Sequence, residues 1–523
     1  MGSEASNDQV HDLIRGLQDP AAFPHAVQDL QIIETHISWV ILTGVFVYKI
    51  KKPVSLGFLD FSTLERRKFY CEEELRLNRR TAPELYLDLV SIGDTPEGLK
   101  IGVEPAIEYA VRMRQFPADA RLDQRLEAGQ LVPEDVRALA GMLARFHQDL
   151  PPRENIDPAL AAVKAIRPAR KNFSHLHPEL FGDDSRQVLA EIEAWTRQQS
   201  IILEPVFEAR AINGFIRECH GDLHLSNLVT LGERIMLFDC IEFNPELRWI
   251  DTASDIAFLV MDLMAHQRAD LAYAFLSAWL EENGDYDSLE VLRFYLVYRC
   301  MVRVIVASIQ FTQSHESASR SDQLIDVHRY LDLARRLIQS PRPRLILMHG
   351  LSGSGKTWLS ERLVSTIPAI RVRSDLERKR LHGELDTETG LYGQEATEST
   401  YESLVRHCET GLQAGFDMIA DATFLRRRHR HLFLDLAARL DVKPVILDCT
   451  APVATLQARI RRRAAAQMDA SDADLAVLQQ QLDHHDELDK QEQRFIIPVE
   501  TDETTDHSIA ELALLISLPQ SAP

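Results

Sequence analysis

Apolar and polar positions alternate through 29–52, where DLQIIETH, SWVILTG and FVYKIKK read as three successive strands with Gly44 at a turn. The period then changes. From about Thr63 to Arg80, Leu64, Phe69 and Leu75 recur at helical spacing. Strand character returns in LYLDLVSI and GLKIGVEPAIEYAV. From about Val136 onward helical periodicity dominates, broken by short strand-like runs at 227–230 and 234–239. Strands first and helices later predicts a small β-rich lobe leading into a larger helical one.

One boundary stands out. The helical run LIDVHRYLDLARRLIQS ends at Ser340-Pro341-Arg342-Pro343-Arg344, where two prolines forbid further helix and favour an extended connector. LILMHG follows as a short buried-type strand, then a glycine-rich turn, then alternating strands and helices. The predicted fold is an α+β bilobal domain over 1–340 followed by an α/β domain with a parallel sheet over 341–523.

Composition narrows the functional classes. A chain of 523 residues is too long for one core at roughly 150 residues per domain. Fifty-eight basic against 79 acidic residues leave a net charge of −21, so there is no global attraction for nucleic acid or anionic lipid. The six cysteines (Cys71, Cys219, Cys240, Cys300, Cys408 and Cys449) are scattered without CxxC spacing, which predicts reduced, buried thiols rather than a zinc site or a disulfide scaffold. The start, MGSEASNDQVHD, lacks the basic and apolar runs of a secretion signal. The most apolar stretches fall short of the roughly 20 residues a membrane span needs. A cytoplasmic protein without a membrane partner is expected.

The first constellation with chemistry is His220-Gly221-Asp222-Leu223-His224-Leu225-Ser226-Asn227, followed by RIMLFD ending at Asp239. Phosphoryl transfer needs few protein groups, because positioning and charge neutralisation supply most of the catalysis. Asp222 suits orientation of an acceptor hydroxyl, and Asn227 with Asp239 suits holding magnesium against phosphates. The second constellation is Gly350-Leu351-Ser352-Gly353-Ser354-Gly355-Lys356-Thr357, which follows LILM and opens WLSERLVSTI. That is GxxxxGKT in a strand–loop–helix setting. Gly350, Gly353, Ser354 and Gly355 form the loop whose amides cradle phosphate, Lys356 reaches the β/γ-phosphates, and Thr357 ligates magnesium. Asp375 and Arg378, after the strand IRVR, suit an acceptor with a hydroxyl and an anionic part. Asp421 ends the strand in FDMIADATF and suits metal support. Arg459 and Arg463 share a helix face, placed to close over the transferring group.

HGDLHLSN followed by LFDCIEFN resembles the catalytic and metal-binding segments of aminoglycoside phosphotransferases, whose fold is protein-kinase-like. The resemblance implies a strand lysine, for which Lys49 fits with Lys51 as the in-phase alternative. It also implies a helix glutamate, for which Glu74 is chosen over Glu72 and Glu73. It implies an adenine-reading hinge, expected at Glu108-Tyr109-Ala110-Val111, and a phosphate-covering loop near Thr35-His36-Ile37-Ser38, which here is not glycine-rich. Asp251 and Asp255 resemble the family's downstream acidic pair, read here as helix caps and scaffolding. The second half resembles the P-loop branch of polynucleotide 5′-hydroxyl kinases, gluconate-type sugar kinases and zeta toxins. Together the halves resemble a bacterial two-domain family, described as bifunctional aminoglycoside phosphotransferase-like and ATP-binding. ETHISWVILTG, YKIKKPV, GFLDFSTLERR, IEFNPELRWID, RSDLERKRL and DASDAD carry that likeness.

The resulting expectation is an ATP-dependent kinase with two ATP-Mg²⁺ modules, acting on a small hydroxylated acceptor of sugar or amino-sugar type. Two alternatives remain open at this level. The second module could phosphorylate a nucleic-acid 5′ end, for which the arginine run from Arg426 to Arg430 (broken only by His429) offers a local basic patch. Alternatively, one module binds ATP without turnover and the protein is a sensor. The oligomeric state is not encoded in these motifs.

Overall fold

The computed structural model describes residues 12–56, 59–176, 182–232, 234–313, 317–339, 342–383, 393–466, 474–502 and 506–517. Ser340 and Pro341 of the connector, residues 57–58 of GFLDFSTLERR and 469–473 of DASDAD lie outside them. The chain forms two compact units. One comprises residues 1–131, 150–156 and 213–256; the other comprises 132–149, 157–212 and 257–523.

The first unit is built on a six-stranded antiparallel sheet. Its strands are β1 (Gln31–Glu34), β2 (Ser38–Leu42), β3 (Phe46–Lys51), β4 (Tyr86–Thr95), β5 (Gly98–Ile101) and β6 (Ala106–Arg114), in the order β1-β2-β3-β6-β4-β5. Side chains alternate across β3. Tyr48 and Ile50 join a core with Leu13, Leu17 and Phe23. Val47 faces the other way, into a core shared with Cys71 and Leu75 of helix α1 (Leu64–Asn78). Thr63 caps that helix, its hydroxyl accepting the Arg66 N–H at 3.3 Å. Cys71, Glu74, Leu75 and Asn78 are spaced three and four apart and are all buried, so Glu74 occupies a core position of α1.

Besides the pairing of Ser55–Leu56 with Leu59–Asp60, two short antiparallel pairs lie in this unit among the described residues. β8 (Leu228–Leu231) pairs with β9 (Arg234–Leu237), and β7 (Ile216–Glu218) pairs with β10 (Trp249–Asp251). The second pair has no counterpart in the sequence reading. Each strand is three residues long, and the pairing spans about thirty residues of chain.

The second unit combines a helical part with a parallel sheet. Helices α2 (Pro133–Asp149), α3 (Pro158–Lys171), α4 (Asp183–Ile202), α5 (Glu204–Ile212), α6 (Thr252–Ala265, entering from the first unit), α7 (Ala269–Asn283), α8 (Leu289–Gln313) and α9 (Ser317–Ile338) form the former. The sheet comprises β11 (Arg344–His349), β12 (Ala369–Arg373), β13 (Asp417–Asp421), β14 (Lys443–Thr450) and β15 (Ile496–Glu500). Its order is β12-β13-β11-β14-β15, with every neighbour parallel. Such strands are buried on both faces, which explains the continuous apolar run in LILM. Ile346 and Met348 pack with Leu359 and Leu363 of α10 (Lys356–Thr366) and with Ile509 and Leu512 of α16 (Asp506–Ser517). Between them come α11 (Ser374–His382), α12 (Gln394–Gln413), α13 (Arg427–Arg439), α14 (Val453–Ala466) and α15 (Leu475–Asp483). Because β13 lies between β11 and β12, three strand ends converge beside the glycine loop, where open α/β sheets hold their ligands.

Candidate functional site

In the first unit, charged residues meet where β3 passes α1. Lys49 and Lys51 are two apart on β3 and therefore share the face that looks at α1. The Lys49 Nζ lies 2.8 Å from Glu74 Oε1 and also bonds Asp239. The Lys51 Nζ lies 2.7 Å from Glu74 Oε2 and also bonds Glu242. Glu74 is thus the carboxylate of its helix that meets the strand lysines, and it meets both. Glu73 turns instead to Arg76 and Arg248. Burial opposes charge at Glu74, yet Lys49 and Lys51 hold its carboxyl down to about 2. Burial likewise works against the Lys49 ammonium, but Asp239, Glu74 and Glu242 keep it well above its ordinary value. Glu242 is pushed up, chiefly by burial.

The catalytic-type loop is held by backbone bonds. Asp255 accepts the His220 N–H at 3.1 Å and the Gly221 N–H at 2.8 Å, while Asp251 caps α6 through the Ala253 N–H at 2.9 Å. Gly221 has φ +88°. A Cβ there would sit 2.6 Å from the Leu247 carbonyl, so the loop needs glycine on both counts. Burial lowers the His220 pKa, and the neutral ring fits its neighbours. Nε2 donates to the Phe238 carbonyl at 2.9 Å and Nδ1 accepts the Asp222 N–H at 3.4 Å. The Asn227 amide nitrogen donates to Asp222 at both its carbonyl (3.0 Å) and Oδ2 (3.1 Å). That leaves the Asn227 side-chain oxygen as the donor atom for a cation. The Phe238 N–H bonds the Asn227 carbonyl at 3.0 Å, tying the Asp239 strand end to this loop. Asp239 itself takes φ +63° and donates its N–H to the Tyr86 hydroxyl at 3.0 Å.

One sequence expectation changes here. Residues 108–111 are the middle of β6, where Tyr109, Ala110 and Val111 pair with β4 and the last two also face β3. At Ala110 and Val111 both edges of the backbone are occupied, so these two residues cannot read adenine as a hinge. The Thr35 hydroxyl is spent within its own turn, donating to the Ser38 carbonyl and accepting the Ser38 N–H, each at 3.0 Å.

In the second unit, one cavity of about 370 Å³ gathers Gly353, Gly355, Lys356, Thr357, Asp375, Arg378, Asp421, Arg459 and Arg463. Gly350, Gly353 and Gly355 have φ of +138°, +82° and +87°. A Cβ on Gly350 would lie 2.4 Å from the Cys449 carbonyl oxygen. Gly350 and Ser354 line a neighbouring cavity with His349 and Asp448 instead. The Ser354 hydroxyl is buried without a hydrogen-bond partner. Lys356 is the first residue of α10 and its Nζ donates to the Leu351 carbonyl at 2.8 Å. Burial lowers its pKa, with Asp421 acting in the opposite direction. Asp421 accepts the Ser360 hydroxyl at 2.9 Å. Arg378 lies 3.4 Å from Asp375 across one turn of α11. Arg459 bonds the Gly353 carbonyl and Thr501, so it braces the loop as well as lining the cavity.

These residues fit a nucleotide triphosphate and a divalent metal. Gly350, Gly353 and Gly355 pack so closely on the Cys449 carbonyl, the Leu456 carbonyl and Thr501 that a Cβ would crowd the loop, and the donors are hard oxygens: Thr357 with Asp421 in one unit, Asn227 with Asp239 in the other. Sequence reasoning missed Glu242, three residues after Asp239, and Arg371, a buried cation in the middle of β12. It also missed the cavity-lining Tyr401 and His429, whose rings stack at 3.8 Å. The arginine run forms no open basic patch. Arg426 pairs with Asp486, Arg427 with Asp489 and Arg428 with Glu398, while Arg430 is wholly buried against Glu492.

Uncharacterized proteins of Mycobacterium bovis and Mycobacterium tuberculosis are 31% identical to this chain over 459 residues, covering 86% of it and 89% of theirs. The family model described as "Phosphotransferase enzyme family" matches residues 93–292, and that described as "AAA domain" matches 345–488. The chain belongs to this two-domain phosphotransferase family. It joins a kinase-like aminoglycoside-phosphotransferase domain to a P-loop kinase-like domain, and the protein is an ATP-dependent kinase using a divalent metal. Among solved structures, choline kinase from Cryptosporidium parvum Iowa II aligns over 62% of this chain and 96% of its own, at 13% identity and TM-score 0.39. A gluconokinase from Sinorhizobium meliloti 1021 aligns over 34% and 92%, at 16% identity and TM-score 0.25. At such scores neither likeness bears on the acceptor of this family member. Among the described residues no helix is long and apolar enough to cross a membrane, and all six cysteines are buried and unpaired.

Proposed function

We propose that this family member carries two phosphotransfer sites, one within 1–340 and one within 341–523, each moving the γ-phosphoryl group of ATP to a hydroxyl of a small sugar-type or amino-sugar-type acceptor. The observation that carries the reading is the gathering of Lys356, Thr357, Asp375, Arg378, Asp421 and Arg463 around one cavity. In each site the acceptor oxygen attacks the γ-phosphorus, the bond to the β,γ-bridging oxygen breaks, and ADP leaves. The hydroxyl proton passes to a carboxylate, Asp222 in the first site and Asp375 in the second. Lys49, steadied by Glu74, neutralises the α/β-phosphates in the first; Lys356 does so for the β/γ-phosphates in the second. Arg378 grips the acceptor's anionic part and Arg463 faces the transferring group, while Arg459 braces the loop. Asn227 and Asp239 in one site, and Thr357 and Asp421 in the other, would hold Mg²⁺, which would neutralise charge on the phosphates.

Cavity size supports a small acceptor over a polynucleotide, and so does the pairing of the arginine run with carboxylates. Six buried thiols accord with a cytoplasmic setting. The test offers a fractionated metabolite extract and, separately, 5′-hydroxyl oligonucleotides with γ-labelled ATP. A labelled small product supports the reading. Label on the oligonucleotide would replace it with the nucleic-acid alternative, and tight ATP binding without transfer would replace it with a sensor.

A further inference from the structure

The P-loop site is braced by a helix outside the segment that matches the P-loop family model. Arg371, on β12, is almost wholly buried. Its guanidinium forms a bidentate pair with Glu281 of α7, Nε to Oε1 at 2.6 Å and Nη2 to Oε2 at 3.1 Å. The remaining nitrogen, Nη1, donates to the Ser360 hydroxyl at 3.2 Å and lies 3.5 Å from the Thr357 carbonyl. The Ser360 hydroxyl has two acceptors in reach, Asp421 Oδ2 at 2.9 Å and the Thr357 carbonyl at 3.1 Å. With Arg371 Nη1 donating to Ser360 Oγ and facing the Thr357 carbonyl, the single proton goes to the nearer, charged Asp421. The backbone of Arg371 is held from the same side: Ser277 of α7 accepts its N–H at 3.2 Å, and the Tyr286 hydroxyl donates to its carbonyl at 3.2 Å.

A second path leaves Glu281 through its own carbonyl, which accepts Arg380 Nη2 at 2.7 Å. Arg380 lies on α11, the helix that carries Asp375 and Arg378, and its other nitrogen pairs with Glu377. Gly284, which ends α7 at φ +77°, makes room for this: a Cβ there would sit 2.5 Å from Arg380 Nε. One residue of α7 therefore touches the supports of both the metal-side carboxylate and the acceptor-side helix.

We propose that Glu281 is a positioning residue of the P-loop site, its side chain orienting Asp421 through Arg371 and Ser360 while its main-chain carbonyl, which side-chain variants retain, seats α11 through Arg380. This rests on the reading of that site as one that binds ATP with a divalent metal. Glu281 touches neither nucleotide nor acceptor. Its effect is to fix the guanidinium, which otherwise turns toward the nearest carboxylate and breaks the hydrogen bond that aims Asp421. Buried supports behind metal ligands behave this way, their loss costing about ten- to a hundredfold in metal affinity.

The experiment is calorimetric titration of full-length protein with ATP, in saturating Mg²⁺ and in EDTA, for wild type, Glu281→Ala and Glu281→Gln. Each is compared with its Lys356→Ala counterpart, so that only binding at the P-loop is counted. The expected result is a loss of about tenfold or more in Mg²⁺-dependent affinity for Glu281→Ala, a smaller loss for Glu281→Gln, and unchanged affinity in EDTA. Wild-type affinity in Mg²⁺ for Glu281→Ala overturns the proposal. So does an equal loss with and without metal, which is the signature of a merely structural role. If Glu281→Ala does not fold by circular dichroism, the same criteria are applied to Glu281→Gln. Wild type that binds ATP through Lys356 but transfers no phosphoryl group refutes the kinase reading, while the metal split still judges Glu281. Absence of Lys356-dependent binding in wild type refutes both.

Discussion

Replacing Lys51 by methionine isolates what holds the first site together. Three carboxylates, Glu74, Glu242 and Asp239, face two ammonium groups, with Lys51, Glu74 and Glu242 closed to water and Lys49 and Asp239 partly open, so the cluster carries one net negative charge. Lys51→Met keeps the side chain's length and apolar stem but removes one positive charge. The cluster then carries two negatives around Lys49 alone, and Glu242 loses its lysine partner while fully buried. Breaking such a buried pair costs roughly 3–5 kcal/mol. At roughly 2–4 °C per kcal/mol, the lowest-temperature calorimetric transition should fall by roughly 6–20 °C. The double variant Lys51→Met/Glu242→Gln removes the stranded charge with the lysine and should recover at least half of that loss, the coupling expected of contacting groups. A single variant melting within about 2 °C of wild type, or a double variant no more stable than the single, would refute the reasoning.

Three further outcomes follow from the same geometry. The Glu74 carboxyl, held near 2 against an ordinary 4.5, contributes stability that is present above about 4.5 and lost as pH falls through about 2. Urea midpoints should therefore decline over that window, and Glu74→Gln should flatten the decline; an unchanged slope would contradict the charge assignment. Gly350→Ala places a Cβ 2.4 Å from the Cys449 carbonyl, and should abolish Lys356-dependent ATP binding while leaving the secondary structure by circular dichroism unaltered. Asp222→Asn should slow transfer at the first site by about 10²–10⁴-fold without changing ATP affinity, as read by single-turnover rates and titration calorimetry.

Local pattern carried the sheet and the loops well. The alternation in FVYKIKK sets Lys49 and Lys51 on one face, but of the apolar positions read on the next helix (Leu64, Phe69 and Leu75) Phe69 is exposed, and the buried stripe that includes Cys71, Glu74 and Asn78 carries polar residues that hid it. GxxxxGKT places its own helix and strand, because glycine conformations and the strand–helix transition are local. The short pairing of 216–218 with 249–251 was hidden because three residues carry no readable period. The hinge was misplaced because an adenine-reading backbone and an interior strand share the same apolar alternation, and only pairing partners separate them. The bond between Arg371 and Glu281 joins residues ninety positions apart, and no periodicity in either segment announces it. A cation in the middle of an apolar strand was the available clue, since such a charge must find a buried partner.

Two independent sites require each half of the chain to move phosphoryl groups by its own residues. The most direct measurement follows label from γ-labelled ATP into acceptor for wild type, Asp222→Ala, Lys356→Ala and the double variant. Wild type should give labelled small products, each lost in one single variant, and the double variant should give none. Products that persist in the double variant, or label released only as free phosphate, would contradict this reading.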